Sequence, residues 1–121
     1  MQLKDLTKAE EQVMQYLWSL EKAFVKDILD KMDEPKPAYN TVSTIIRILE
    51  EKGFVNHKAY GKTHEYFPVV TKEDYSRFTT GNLVKNYFNG SAKELVSFFM
   101  KDNKLDVNDL DEILKIIEST K

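Results

Sequence analysis

Between Tyr39 and Arg47 the chain reads YNTVSTIIR, and its polar members are Asn40, Thr41, Ser43, Thr44 and Arg47. These are groups that recognise rather than react. Hydroxyls and a carboxamide offer donors and acceptors of short reach, and a guanidinium offers a planar fork that matches a base edge or a phosphate. Wound as a helix, the segment carries Val42, Ile45, Ile46 and Leu49 as an aliphatic stripe, with the five polar residues lying away from it. Short side chains in the first turns let a helix backbone approach the floor of a DNA major groove, while one long cation reaches in. The plainer alternative is a solvated face. Such faces are usually filled with Glu, Lys and Gln, however, and Asn, Thr and Ser are mediocre helix formers that surface stability alone does not favour.

Local charge points the same way. From Lys36 to His64 there are five cations (Lys36, Arg47, Lys52, Lys58, Lys62) against two acids (Glu50, Glu51), although the whole chain has a net charge of -2. Lys58, Lys62 and His57 are candidates for phosphate contact, which sets affinity but carries little sequence information. The alternative for each is an exposed hairpin edge blunted by lysine. Reactive chemistry finds little support. His57 and His64 flank one turn with no cysteine near them, so surface hairpin residues are expected there rather than a metal pair. There is no Gly-rich phosphate loop, and Ser, His and Asp occur in no nucleophile context. No enzyme, cofactor or metal is expected.

The elements that must position these groups can be read from caps and periodicity. Thr7 with Glu10 forms a capping box ahead of the stripe Val13, Met14, Leu17, Trp18 and Leu20. Val25, Ile28, Leu29 and Met32 mark a second, shorter helix that DEPKP stops. The third helix closes at Gly53, a natural left-handed cap. FVNHKAY and THEYFPVV, joined around Gly61 and Lys62, then read as a two-stranded hairpin. Three helices followed by a hairpin is the order of a winged helix-turn-helix.

A second region begins near Thr71, where Asp74 completes another capping signal. Tyr75, Phe78, Leu83, Tyr87 and Phe88 line a helix that FNGS breaks. Ser91 with Glu94 opens the next, carrying Leu95, Val96, Phe98 and Phe99. Asp106 starts a last one, with Leu110, Ile113, Leu114 and Ile117 on one face. The expected organisation is a DNA-binding domain over residues 1–70 and a helical dimerisation domain over 71–121, mainly α with a small β-hairpin. These last stripes carry more apolar surface than so small a unit can hide, so a partner is implied, most simply a twofold copy of the chain.

With 121 residues, 41% hydrophobic and 31% charged, the chain is ordinary for a folded protein. It has no cysteine, hence no disulfide or thiolate site, which fits a reducing compartment. Its apolar runs are far short of a membrane span, and MQLKDLTKAEE lacks the apolar core of a signal peptide. A cytoplasmic protein with no membrane insertion is expected.

LTKAEEQVMQYLW, AYNTVSTIIRILEEKGFV and YFNGSAKELVSFFMKDNKL together resemble the penicillinase-repressor family, the BlaI/MecI/CopY group of bacterial regulators, over nearly the whole chain. The resemblance implies a homodimeric winged-helix repressor whose amino-terminal domain binds a palindromic operator and whose carboxy-terminal helices interlock. It implies that Asn40, Thr41, Thr44 and Arg47 stand where the recognition helix meets DNA and that Tyr60 to Lys62 form the wing tip. The copper-responsive branch has carboxy-terminal cysteine pairs, and this chain has none, which excludes release through copper thiolates. The β-lactam branch is cut by a membrane sensor-protease before a phenylalanine, typically after asparagine. The matching pair here is Phe98 and Phe99, with phenylalanine in the asparagine position. A winged-helix scaffold that binds protein rather than DNA is the alternative that composition leaves open.

Overall fold

The computed structural model describes the backbone over residues 3–102 and 105–119 and the side chains over 3–102 and 105–116. The elements run α1 (Lys8–Leu20), α2 (Val25–Lys31), α3 (Tyr39–Glu51), β1 (Val55–Tyr60), β2 (Thr63–Pro68), α4 (Lys72–Tyr87), α5 (Ala92–Lys101) and α6 (Val107–Ser119). The fold is mainly α with one antiparallel hairpin, and its first five elements follow winged helix-turn-helix order. The chain divides into two compact units, Met1–Thr79 and Thr80–Lys121.

The first unit is built on the stripes that periodicity marks. Val13, Met14 and Leu17 of α1, Ile28 of α2, and Val42, Ile46 and Leu49 of α3 are all buried, with Phe54 closing the space beside them. Each such side chain contributes about 1.5–3 kcal/mol through removal from water. Trp18 sits at the margin, where its indole N–H donates to the Val70 carbonyl at 2.9 Å. Tyr75, in the first turns of α4, is 6% exposed, and its ring packs against Trp18, Phe54 and Phe78. Its hydroxyl accepts the Leu6 N–H at 2.9 Å. Burial pushes the Tyr75 phenol above its ordinary value against the opposing pull of that N–H, with Glu11 and Asp5 adding to the rise.

Local caps set where each helix begins. The Thr7 hydroxyl accepts the Glu10 N–H at 3.1 Å while the Glu10 carboxylate accepts the Thr7 N–H at 2.9 Å. Thr71 and Ser91 accept from Asp74 and Glu94 in the same way, and Asp106 and Asp109 exchange such bonds reciprocally. Gly53 has φ 83° and ends α3 as a left-handed cap.

Glu10 has a second partner. It is 5% exposed, and the ammonium of Lys52, the residue that caps the end of α3, reaches it at 2.7 Å. Burial alone would raise the Glu10 carboxyl. The hydrogen bond and charge of Lys52, with the Thr7 N–H, outweigh burial and hold it below its ordinary value.

In the hairpin Val55 pairs with Pro68 and Tyr60 with Thr63, leaving Gly61 and Lys62 as a two-residue turn in which Gly61 has φ 63°. A third segment joins the other edge of β2, because Ala23 and Tyr66 exchange backbone hydrogen bonds of 2.9 and 2.8 Å. The wing is thus tied to the connection between α1 and α2.

The second unit is different in kind. Among the described residues every buried apolar side chain lies between Val13 and Tyr75. Asn89 and Gly90, both at positive φ, turn the chain between α4 and α5. Phe88 packs on Phe98 with ring centroids 5.6 Å apart.

Candidate nucleic-acid interface

The polar face of α3 starts at an open helix end. Ala38 at the cap of α3 supplies no side-chain bond, and no acid occupies the first turn. The partial positive charge of the terminus is therefore left uncompensated, which favours an approaching phosphate. Asn40, Thr41, Thr44 and Arg47 are exposed and Ser43 is half-buried, so neither threonine enters the core. The Thr44 hydroxyl donates to the Asn40 carbonyl at 2.9 Å, which leaves its lone pairs to accept from a base amino group.

The polar residues of α3 and the wing tip come together at one place. Ser43, Arg47 and Tyr39 of α3 line a small cleft of about 90 Å³ with Lys62, Thr63, His64 and Tyr66 of the wing and Val25 of α2. Arg47 and Lys62 thus share one cationic notch. Burial, aided by the Glu50 carboxylate, pushes the Tyr66 phenol above its ordinary value, while the Arg47 guanidinium, hydrogen-bonded to it, pulls the other way.

Lys58 and Tyr60 lie elsewhere. Strand alternation puts them on the opposite hairpin face, where the Lys58 ammonium stands 5.3 Å from the Tyr60 ring centroid and the Tyr60 ring packs 5.9 Å from Phe24. Both are exposed. Lys52 pairs with Glu10, and the His57 Nδ1 lies 2.6 Å from Glu50. Composition alone counts Lys52 towards a phosphate surface, to which the buried pair prevents it from contributing.

The two histidines stack face to face, with ring centroids 4.0 Å apart. Among the described residues no group of three or more His, Cys, Asp or Glu could hold a metal ion. Periodicity missed Tyr39 and Tyr66. Tyr39 is 51% exposed at the very start of α3 and could have been found as an aromatic one residue ahead of the polar run. Tyr66 could not, because only the hairpin register brings it to Arg47.

In the second unit, Tyr87, Phe98, Phe99, Ile113 and Leu114 are exposed, and Phe88, Leu95 and Leu110 are half-buried. Ile117 lies on α6 with its side chain outside the described residues. Leu95, Val96, Phe99, Leu105 and Ile113 surround an apolar cavity of about 360 Å³.

A family model described as Penicillinase repressor matches residues 6–119. The chain is similar to the Penicillinase repressor of Bacillus licheniformis, with 22% identity over 120 residues, 98% of this chain and 94% of that protein. It is similar also to the Methicillin resistance regulatory protein MecI of Staphylococcus aureus (strain N315), with 25% identity over 114 residues and 93% of each chain. Among solved structures, the solution structure of the DNA binding domain of the repressor BlaI aligns with a TM-score of 0.53 and 23% identity, covering 61% of this chain and 92% of that one. That likeness carries the winged-helix fold.

Proposed function

The chain belongs to the penicillinase repressor family, and on that footing we propose that it is a homodimeric transcriptional repressor that holds a palindromic operator in double-stranded DNA. The observation that carries the reading is the notch shared by Arg47 and Lys62 beside the exposed Thr41 and Thr44. In use, Asn40, Thr41, Ser43, Thr44 and Arg47 meet base edges and phosphates in the major groove, while Lys62, Lys58 and Tyr60 on the wing contact the backbone. The second copy covers the apolar faces of α4, α5 and α6, where Tyr87 is 77% and Leu114 47% exposed. Such surface is unstable in water unless a partner removes it. Two half-sites joined in this way bind far more tightly than either alone.

We propose in addition that repression ends when a membrane sensor-protease cuts between Phe98 and Phe99. Both are exposed on α5, which must unwind locally to present an extended bond. Among the described residues no helix is long and apolar enough to cross a membrane.

Titrating the purified chain into promoter-derived and random duplexes across a salt series tests the reading. Steep salt dependence with preference for particular promoter fragments is expected. The net charge of -2 favours a rival, a winged-helix scaffold that binds protein instead. Absence of duplex binding at low salt would decide for that rival.

A further inference from the structure

The seam between α3 and the wing holds a cluster that contact with a duplex does not itself require. The Glu50 Oε2 and His57 Nδ1 stand 2.6 Å apart, with side chains 30% and 28% exposed. His64 stacks on His57 with 8° between the ring planes, and the Tyr66 ring lies 5.5 Å from His57 and 6.1 Å from His64. The register explains the stack: His57 pairs with Tyr66 and Ala59 with His64, so the imidazoles are diagonal neighbours on one hairpin face. The titratable and charged groups around this face are Glu50 and Arg47 of α3, Tyr39 at its start, Lys62 of the turn, and His64 and Tyr66 of β2.

A proton on His57 would lie within charge-assisted hydrogen-bond distance of the Glu50 carboxylate, whereas a second proton on the stacked His64 would bring like charges together. We propose that His57 is a positioning residue through which DNA binding is coupled to proton uptake. The proposal rests on the reading of this surface as a DNA interface.

With His57 neutral, Glu50 keeps its full negative charge one helical turn from Arg47, where it competes with phosphate for the guanidinium. With His57 charged, Glu50 has a nearer cation, the wing is held to α3 by a charge-assisted hydrogen bond, and Arg47 is left to the duplex. The sign follows: binding favours the protonated form, so affinity rises as pH falls.

The test is fluorescence anisotropy of the full chain with a labelled mixed-sequence 40-base-pair duplex at fixed low salt, at pH 6, 7 and 8. Wild type should bind about tenfold more tightly at pH 6 than at pH 8, an ordinary coupling between two ligands. His57→Asn, which keeps an amide donor for Glu50 but does not titrate, should bind with little change across that range. Glu50→Gln should bind at pH 8 as tightly as wild type binds at pH 6, and equally lose the gradient. Wild-type binding that ignores pH, or the same gradient in all three proteins, would overturn the proposal while leaving DNA binding intact. No binding by wild type at any pH would overturn both.

Discussion

Arg47 and Lys52 are five residues apart and both cationic, yet the fold gives them unlike tasks. Arg47 is exposed, beside the Tyr66 phenol and Lys62. Arg47→Ala should therefore weaken the preference for operator over random duplex by about 1–3 kcal/mol, the share of one bidentate base contact. Its thermal midpoint should stay close to the wild-type value, because Arg47 is exposed and, among the described residues, its only tie to a buried group is the one to the Tyr66 phenol. Anisotropy with both duplexes, alongside circular-dichroism melting, checks the two halves of that expectation. Lys52 instead neutralises the buried Glu10. Lys52→Met should cost about 1–3 kcal/mol of folding stability by leaving a carboxylate without its partner. Because the Glu10 carboxyl is held below its ordinary value, the contribution of the pair is fully present above the usual carboxylate range and is lost as pH falls through the lowered value. Urea unfolding of wild type and Glu10→Gln should accordingly differ at pH 7 and converge at strongly acid pH. Arg47 was legible in the sequence because helix periodicity alone puts it on the polar face. The role of Lys52 was not, since its partner lies 42 residues away.

The same distinction between near and far governs the elements. Thr7 with Glu10, Thr71 with Asp74, Ser91 with Glu94 and Asp106 with Asp109 each act within one turn, so four helix starts could be read from residue types alone. The hairpin was equally legible, because a glycine between two β-branched and aromatic runs has few other meanings. What residue types could not show was the third segment at Ala23, or the register that stacks His57 on His64 and brings Tyr66 under Arg47. Such contacts depend on which strand edge meets which loop. The turn itself makes a clean test. Gly61 has φ 63°, and an added Cβ would meet nothing within 4 Å, so Gly61→Ala should cost only the backbone term, about 1 kcal/mol. Gly61→Asn should cost less, since asparagine tolerates the left-handed region, and urea midpoints of the two variants would rank them.

At the scale of the whole molecule, the division of buried surface is the governing fact. The first unit carries its own core from Val13 to Tyr75, all of it ahead of Phe98 in the chain. A cut between Phe98 and Phe99 would therefore leave the winged helix folded, and in the proposed dimer it would end repression by separating the two half-site contacts. Leu114→Glu should do the same without a protease. It should sediment as a monomer and bind operator about a hundredfold more weakly, while the melting of the first unit stays as in wild type. In the proposed dimer the second unit, which has no buried side chain among its described residues, would owe its order to another copy. Dosage would then become a form of control: with few chains the trailing helices would meet no counterpart and fray, and above a threshold of copies pairing would shield them.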